Sequence, residues 1–208
     1  MYKFDYYTEH DEKIVLDFMK SHPFAIITGM GEKYPVASHI PLDIEEKNGK
    51  IFLHGHLMKK TDHHQAFENN NNVLVIFNGP HCYVSASWYT TPQMGSTWNY
   101  MAVHAKGKIS YTDEAGTIAA VRAITEKFEG KDSLASFDKL PTAYVDAMVK
   151  AIVGFTIEVE TLDNVFKLSQ NRDEISILHI IAQLKQRGDA NSIMIAEEME
   201  QRLNGLNN

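Results

Sequence analysis

Along residues 97–105, "TWNYMAVHA", the side chains alternate, but neither set looks solvated. Thr97, Asn99, Met101 and Val103 fall on one face of a strand; Trp98, Tyr100, Ala102 and His104 fall on the other. A half-buried strand ordinarily turns charges or small polar groups outward. This one carries a tryptophan, a tyrosine and a histidine there, which raises the question of what they face.

The same period-two pattern predicts strands at 24–30, 35–44, 50–57, 72–78, 81–87, 97–105, 107–113 and 154–162. The connections read as short turns: "GEK", "EKNG" with its Asn48-Gly49 pair, and "GP" at 79–80. Short sequential links favour an antiparallel meander or Greek-key barrel over βαβ units. A helical period marks 8–21, where Thr8 can cap with Asp11 at the third position and Pro23 ends the apolar stripe. A short helix followed by an asparagine-rich turn is expected within 58–71. Two more helices follow residue 113, the second with Pro141 in its first turn. The tail from Asp173 is helical, with a break at Gly188. The expected architecture is mainly β: an antiparallel six- to seven-stranded split β-barrel over 1–172 with peripheral helices, and a helical C-terminal extension over 173–208 packed on the same domain.

Composition narrows the function. In 208 residues, 44% are apolar and 23% charged, the balance of an ordinary globular protein. The N-terminus is polar and acidic, without a secretion-signal pattern, and no apolar run is long enough to span a bilayer. The one cysteine, Cys82, excludes an internal disulfide framework and fits a reducing, cytoplasmic setting; a buried small hydrophobe is its expected role. The net charge of −7 supplies no positive footprint for nucleic acid.

Several stretches carry candidate chemistry. Ten histidines raise the question of metal. His39, His54 and His56 fall opposite the apolar residues of their strands and could ligate a divalent ion. No "HExxH", cysteine pair or carboxylate cluster accompanies them, so interface or ligand-binding histidines are the better reading. No Walker, Rossmann or nucleophile-elbow pattern occurs. Lys59 and Lys60 read either as a solvated pair or, with Ser38, His39 and His56 nearby, as an anion site. "KLSQNR" (167–172) is either a helix cap or a donor-rich loop over a ligand. "ASWYTTPQMGSTWNY" collects both tryptophans, a composition suited to a planar aromatic ligand or a subunit interface.

"NGPHCYVSASWY", "TWNYMAVHAKGKI" and "FKLSQNR", with "ASHIPL", "LHGHL" and "KAIVGFTIEVE" in order, resemble the PaiB-type FMN-binding negative transcriptional regulators. That family has the flavin-binding split barrel related to pyridoxamine-phosphate oxidases. The likeness covers about residues 1–187. It departs from the family at "MKKTDHHQAF", where an Arg and an Asn-Pro are usual, and around Ser87-Trp88 and Gly95-Ser96, where prolines are usual. The resemblance implies a homodimer with FMN in clefts between subunits. It places Ser38, His39, His56 and Lys59 or Lys60 around the phosphate and ribityl chain. Thr97, Trp98 and Asn99 would flank the isoalloxazine, with Lys167, Ser169, Gln170 and Arg172 approaching from the partner subunit. Function is then expected to be flavin-dependent redox chemistry or flavin-responsive negative regulation of transcription. A haem- or metal-binding barrel and a direct DNA-binding regulator are the alternatives. No catalytic acid or base stands out.

Overall fold

The computed structural model describes residues 1–2, 4–130 and 132–206. Helix α1 spans Glu12–Ser21; strands β1 to β4 span Phe24–Met30, Pro35–Pro41, Asp43–Lys47 and Lys50–Met58. Then follow α2 (Asp62–Asn69), β5 (Asn72–Val84), β6 (Thr97–Tyr111), α3 (Glu114–Glu129), α4 (Thr142–Ala151), β7 (Ile152–Lys167), α5 (Glu174–Arg187) and α6 (Ala190–Leu206).

Seven strands form one hydrogen-bonded order, β2-β1-β5-β6-β7-β4-β3, in agreement with the expected antiparallel barrel. Its closure follows from connectivity. β2 and β3 lie at opposite ends of that order, yet only Leu42 separates them along the chain. A flat sheet cannot satisfy both conditions, so the sheet curls until its ends meet. Leu42 marks the corner: fully buried, it donates its N–H to the carbonyl of Pro23 at 2.9 Å. The single strand expected over 35–44 is therefore two, divided at Leu42, where the chain stops pairing with β1 and begins to pair with β4.

One expected turn, and one expected break between strands, are absent. β5 runs straight through Gly79-Pro80, and β6 runs straight through Gly107. Both glycines serve close approach instead. A Cβ on Gly79 would sit 2.6 Å from the Phe18 ring, and one on Gly107 would sit 2.2 Å from the Glu158 carbonyl oxygen. Likewise β7 continues to Lys167 as one strand. At α1 the cap is Asp11, whose carboxylate accepts from the N–H of Lys13 at 2.8 Å, while Thr8 bonds back to Phe4. Pro141 occupies the N-cap of α4, one residue before its first turn.

The chain separates into two compact units. One comprises Met19–Phe77 and His104–Leu162. Its barrel core is built from Ala25, Ile27, Ile40, Leu53, Val75, Phe77, Phe155 and Ile157, all nearly or fully buried. A smaller cluster of Val121, Phe137 and Ile152 seats α3 and α4, with Ile118, Leu140, Val145 and Met148 around it. The other unit comprises Met1–Phe18, Asn78–Val103 and Asp163–Asn208. There α5 and α6 pack on each other, and Ile180, Ile181, Leu184, Ile195, Ala196 and Met199 are their buried apolar residues. Asp173 caps α5 by accepting from the Ser176 N–H, and Gly188 ends it at φ 76°, a left-handed position that glycine occupies without strain. No described helix is long and apolar enough to cross a membrane.

Candidate functional site

In the barrel unit, β2 and β4 carry the first group of candidates. Ser38 is half-buried across from Ile27, and His39 is exposed with its ring 6.0 Å from that of Phe24. On β4 the two histidines have different fates. His54 has both nitrogens occupied, Nδ1 with Thr156 Oγ1 at 3.1 Å and Nε2 with Glu45 at 2.9 Å. His56 keeps a buried Nδ1 with no partner. Burial pushes its pKa below the ordinary histidine value. A neutral imidazole there offers one N–H and one acceptor to a ligand.

The lysine pair also divides. Lys59 donates its N–H to the carbonyl of Ala151 at 2.9 Å and its ammonium to the carbonyl of Val149 at 3.1 Å. It thereby closes the C-terminal end of α4, where a cation complements the helix dipole. Lys60 is exposed and turns the chain into α2 at φ 63°. Its left-handed backbone follows from the tight entry, in which Thr61 caps α2 by accepting from the His64 N–H. Of the pair, Lys60 is the one whose ammonium has no partner among the described residues. His63 and His64 pair with Asp62 and Glu68 on α2 itself. Among the described residues, no three histidine, cysteine or carboxylate side chains converge as a metal cage.

The other unit holds the aromatic group and the "KLSQNR" turn. β6 buries Asn99, Met101 and Val103 and leaves Trp98 53% exposed, but on the Trp98 face Ala102 is buried too and Tyr100 and His104 are half-buried. Trp98 lies 6.1 Å from both His81 and Tyr83, the latter edge-on. Cys82 is buried and its thiol is pushed up to about 11, which removes thiolate chemistry near neutrality. Ser85 and Ser87 bond to each other and shape the short turn that follows β5.

Much of the turn's polarity is spent internally. Asn99 accepts from the hydroxyl of Ser169 at 3.0 Å and directs its amide at Met199 Sδ, 3.5 Å away. Ser169 is itself 2% exposed and adopts φ 64°. Gln170 accepts from the Leu168 N–H at 2.7 Å and donates to the carbonyl of Phe166. Asn99, Ser169 and Gln170 thus fix the turn, leaving half-buried Lys167 and Arg172 and exposed Asn171, which accepts from the Tyr7 hydroxyl. Lys167 donates to Thr97 Oγ1, 5.7 and 5.8 Å from the rings of Tyr2 and Tyr7. Burial and then the Arg172 charge hold its pKa below the usual lysine value. Arg172 stacks over Tyr89 at 4.3 Å and points one N–H at Met94 Sδ, 3.1 Å away. The hydroxyl of Tyr89 is buried with no partner. Sequence reading did not single out Tyr7, Tyr89 or Met94. The "SWY" string hinted at Tyr89, but its burial beneath an arginine had no local signal.

The family described as "Putative FMN-binding domain" matches residues 1–161. The chain is 33% identical over 204 residues to the protease synthase and sporulation protein PAI 2 of Bacillus subtilis (strain 168), a match covering 98% of each. Among solved structures it is similar to the flavocytochrome Anf3 from Azotobacter vinelandii (TM-score 0.63, 12% identity, 80% of this chain and 72% of that one). It is also similar to the FAD and heme binding protein from Mycobacterium smegmatis (TM-score 0.58, 14% identity, 77% and 73%). At such identities the last two speak for the fold alone.

Proposed function

The chain belongs to the putative FMN-binding domain family, its cofactor is FMN, and we propose that it is a flavin-dependent redox protein working as a homodimer with the flavin between subunits. The observation that carries the site assignment is the orphaned Nδ1 of His56, a buried polar atom that a ligand would satisfy. Ser38 and His39 on β2, His56 on β4 and Lys60 beyond it offer hydroxyl, imidazole and ammonium donors. That set suits a phosphate monoester and a polyhydroxyl chain. The residues present therefore fit the cofactor.

Thr97 and Trp98 are the proposed neighbours of the isoalloxazine, which when bound supplies the hydride or electron transfer. Asn99, Ser169 and Gln170 act by holding the turn. The homodimer is supported by the apolar groups that the smaller unit leaves open: Trp98, Tyr83 at 44% exposure and Met94 at 49%. Negative regulation of transcription is the second reading, and the net charge of −7 favours an indirect route, through metabolism or a protein partner, over contact with DNA.

Reconstitution with excess FMN followed by gel filtration tests the reading. The expected outcome is a yellow protein eluting at twice the chain mass, with His56→Phe losing flavin on the column. Colourless protein, or a haem-type Soret band instead of flavin absorption, overturns it.

A further inference from the structure

Four arginines occur in the chain. Arg122 pairs with Glu126 and Asp138, and Arg202 pairs with Glu9 and Glu198. Arg187 donates to the carbonyl of Tyr83 at 2.9 Å. Arg172 has no such oxygen: its side chain meets the ring of Tyr89 and the thioether of Met94, a weak acceptor. Lys167, on the same turn, is a second cation: its ammonium donates to Thr97 Oγ1, and burial and then the Arg172 charge lower its pKa. Among the described residues neither cation has a carboxylate partner. Beneath the guanidinium, Tyr89, 5% exposed, buries a hydroxyl that has no hydrogen-bond partner among the described residues.

Two like charges held together over a low-polarity floor repel each other and remain stable at less cost when a negative group joins them. A planar guanidinium is suited to a two-oxygen anion, and the phenol adds a third donor. The rings of Tyr2 and Tyr7 lie beside Lys167 and that of Tyr89 lies beneath Arg172, aromatic surfaces that favour a flat ligand body. We propose that Lys167, Arg172 and Tyr89 form a binding site for the carboxylate of a small aromatic acid, which is the substrate class of the flavin chemistry. The inference rests on the redox reading for the word substrate. The anion site itself stands on the three side chains.

The cofactor's own phosphate is an oxyanion too, and calorimetry separates the two sources. Benzoate and inorganic phosphate are titrated into the FMN-loaded protein and into FMN-free protein, for the parent, Arg172→Gln and Tyr89→Phe. The parent is expected to bind benzoate in preference to phosphate. Arg172→Gln should weaken benzoate by about tenfold or more, and the isosteric Tyr89→Phe by about fivefold, the worth of one charged and one neutral hydrogen bond. Affinities for FMN and riboflavin should keep the parent's ratio in both variants. If Arg172→Gln loses FMN but keeps riboflavin, the site serves the cofactor's phosphate and the proposal fails. It fails equally if the parent ignores benzoate or if both variants bind it as the parent does. Benzoate binding by a protein that takes up no FMN would leave the anion site intact while sinking the redox reading.

Discussion

Two corners of the molecule place an arginine over an aromatic ring at nearly the same distance. Arg122 lies 4.4 Å from the ring centroid of Phe137, and Arg172 lies 4.3 Å from that of Tyr89. Both rings are buried, each 5% exposed. At the first corner two carboxylates, Glu126 and Asp138, neutralise the guanidinium and raise its pKa, and phenylalanine has no polar atom to satisfy. At the second the neighbouring charge is Lys167, and the ring carries an unsatisfied hydroxyl. The stacking geometry is shared. What differs is the electrostatic closure. A structural arginine is complete within its own fold, whereas the Arg172 corner is complete only with something added.

Removing the rings gives the largest expected effect. Phe137→Ala and Tyr89→Ala should each cost about 3 to 5 kcal/mol in urea unfolding, as for other buried aromatic truncations. Only Tyr89→Ala should also abolish benzoate binding; if Phe137→Ala does so as well, the corners are not functionally distinct.

The same contrast between closed and open sites recurs on β4 and gives a smaller, pH-dependent effect. His54 is fully partnered, whereas His56 has a folded-state pKa below 6.5 because burial disfavours its cation. Below 6.5 the unfolded chain then binds the extra proton first, so stability is full above 6.5 and falls as pH drops through the lowered folded value. His56→Phe should flatten this acid limb of the melting temperature in FMN-free protein. An unchanged limb would place its origin elsewhere.

The smallest effect belongs to Arg122→Gln. Its ion pairs are solvent-exposed, so a slight loss of stability that vanishes in high salt is expected from thermal melts at two ionic strengths. A large, salt-insensitive loss would make that corner more than a screened surface pair.

Local pattern carried a great deal of this protein. The alternation of β6 separated buried Asn99, Met101 and Val103 from exposed Trp98, and the helical tail with its Gly188 stop needed no tertiary information. Glycine was where pattern misled. A missing Cβ serves a turn and a close approach equally well, so Gly79 read as a turn and Gly107 as the start of a separate strand, until Phe18 and the Glu158 carbonyl showed what pressed on them. The candidate site was legible as residue types and opaque as roles. Lys59 and Lys60 are adjacent and identical, yet only the carbonyls of Val149 and Ala151, far along the chain, commit the first to a helix end.

The sequence by itself determined the antiparallel barrel, its helical tail and the flavin-binding family, because periodicity and ordered motifs are local properties of the chain. Tertiary structure alone decided which polar groups are already satisfied. Hydrogen-bond partners and counter-charges are set by the tertiary surroundings, so an arginine over a buried ring is closed at Arg122, beside Asp138, and open at Arg172, beside Lys167.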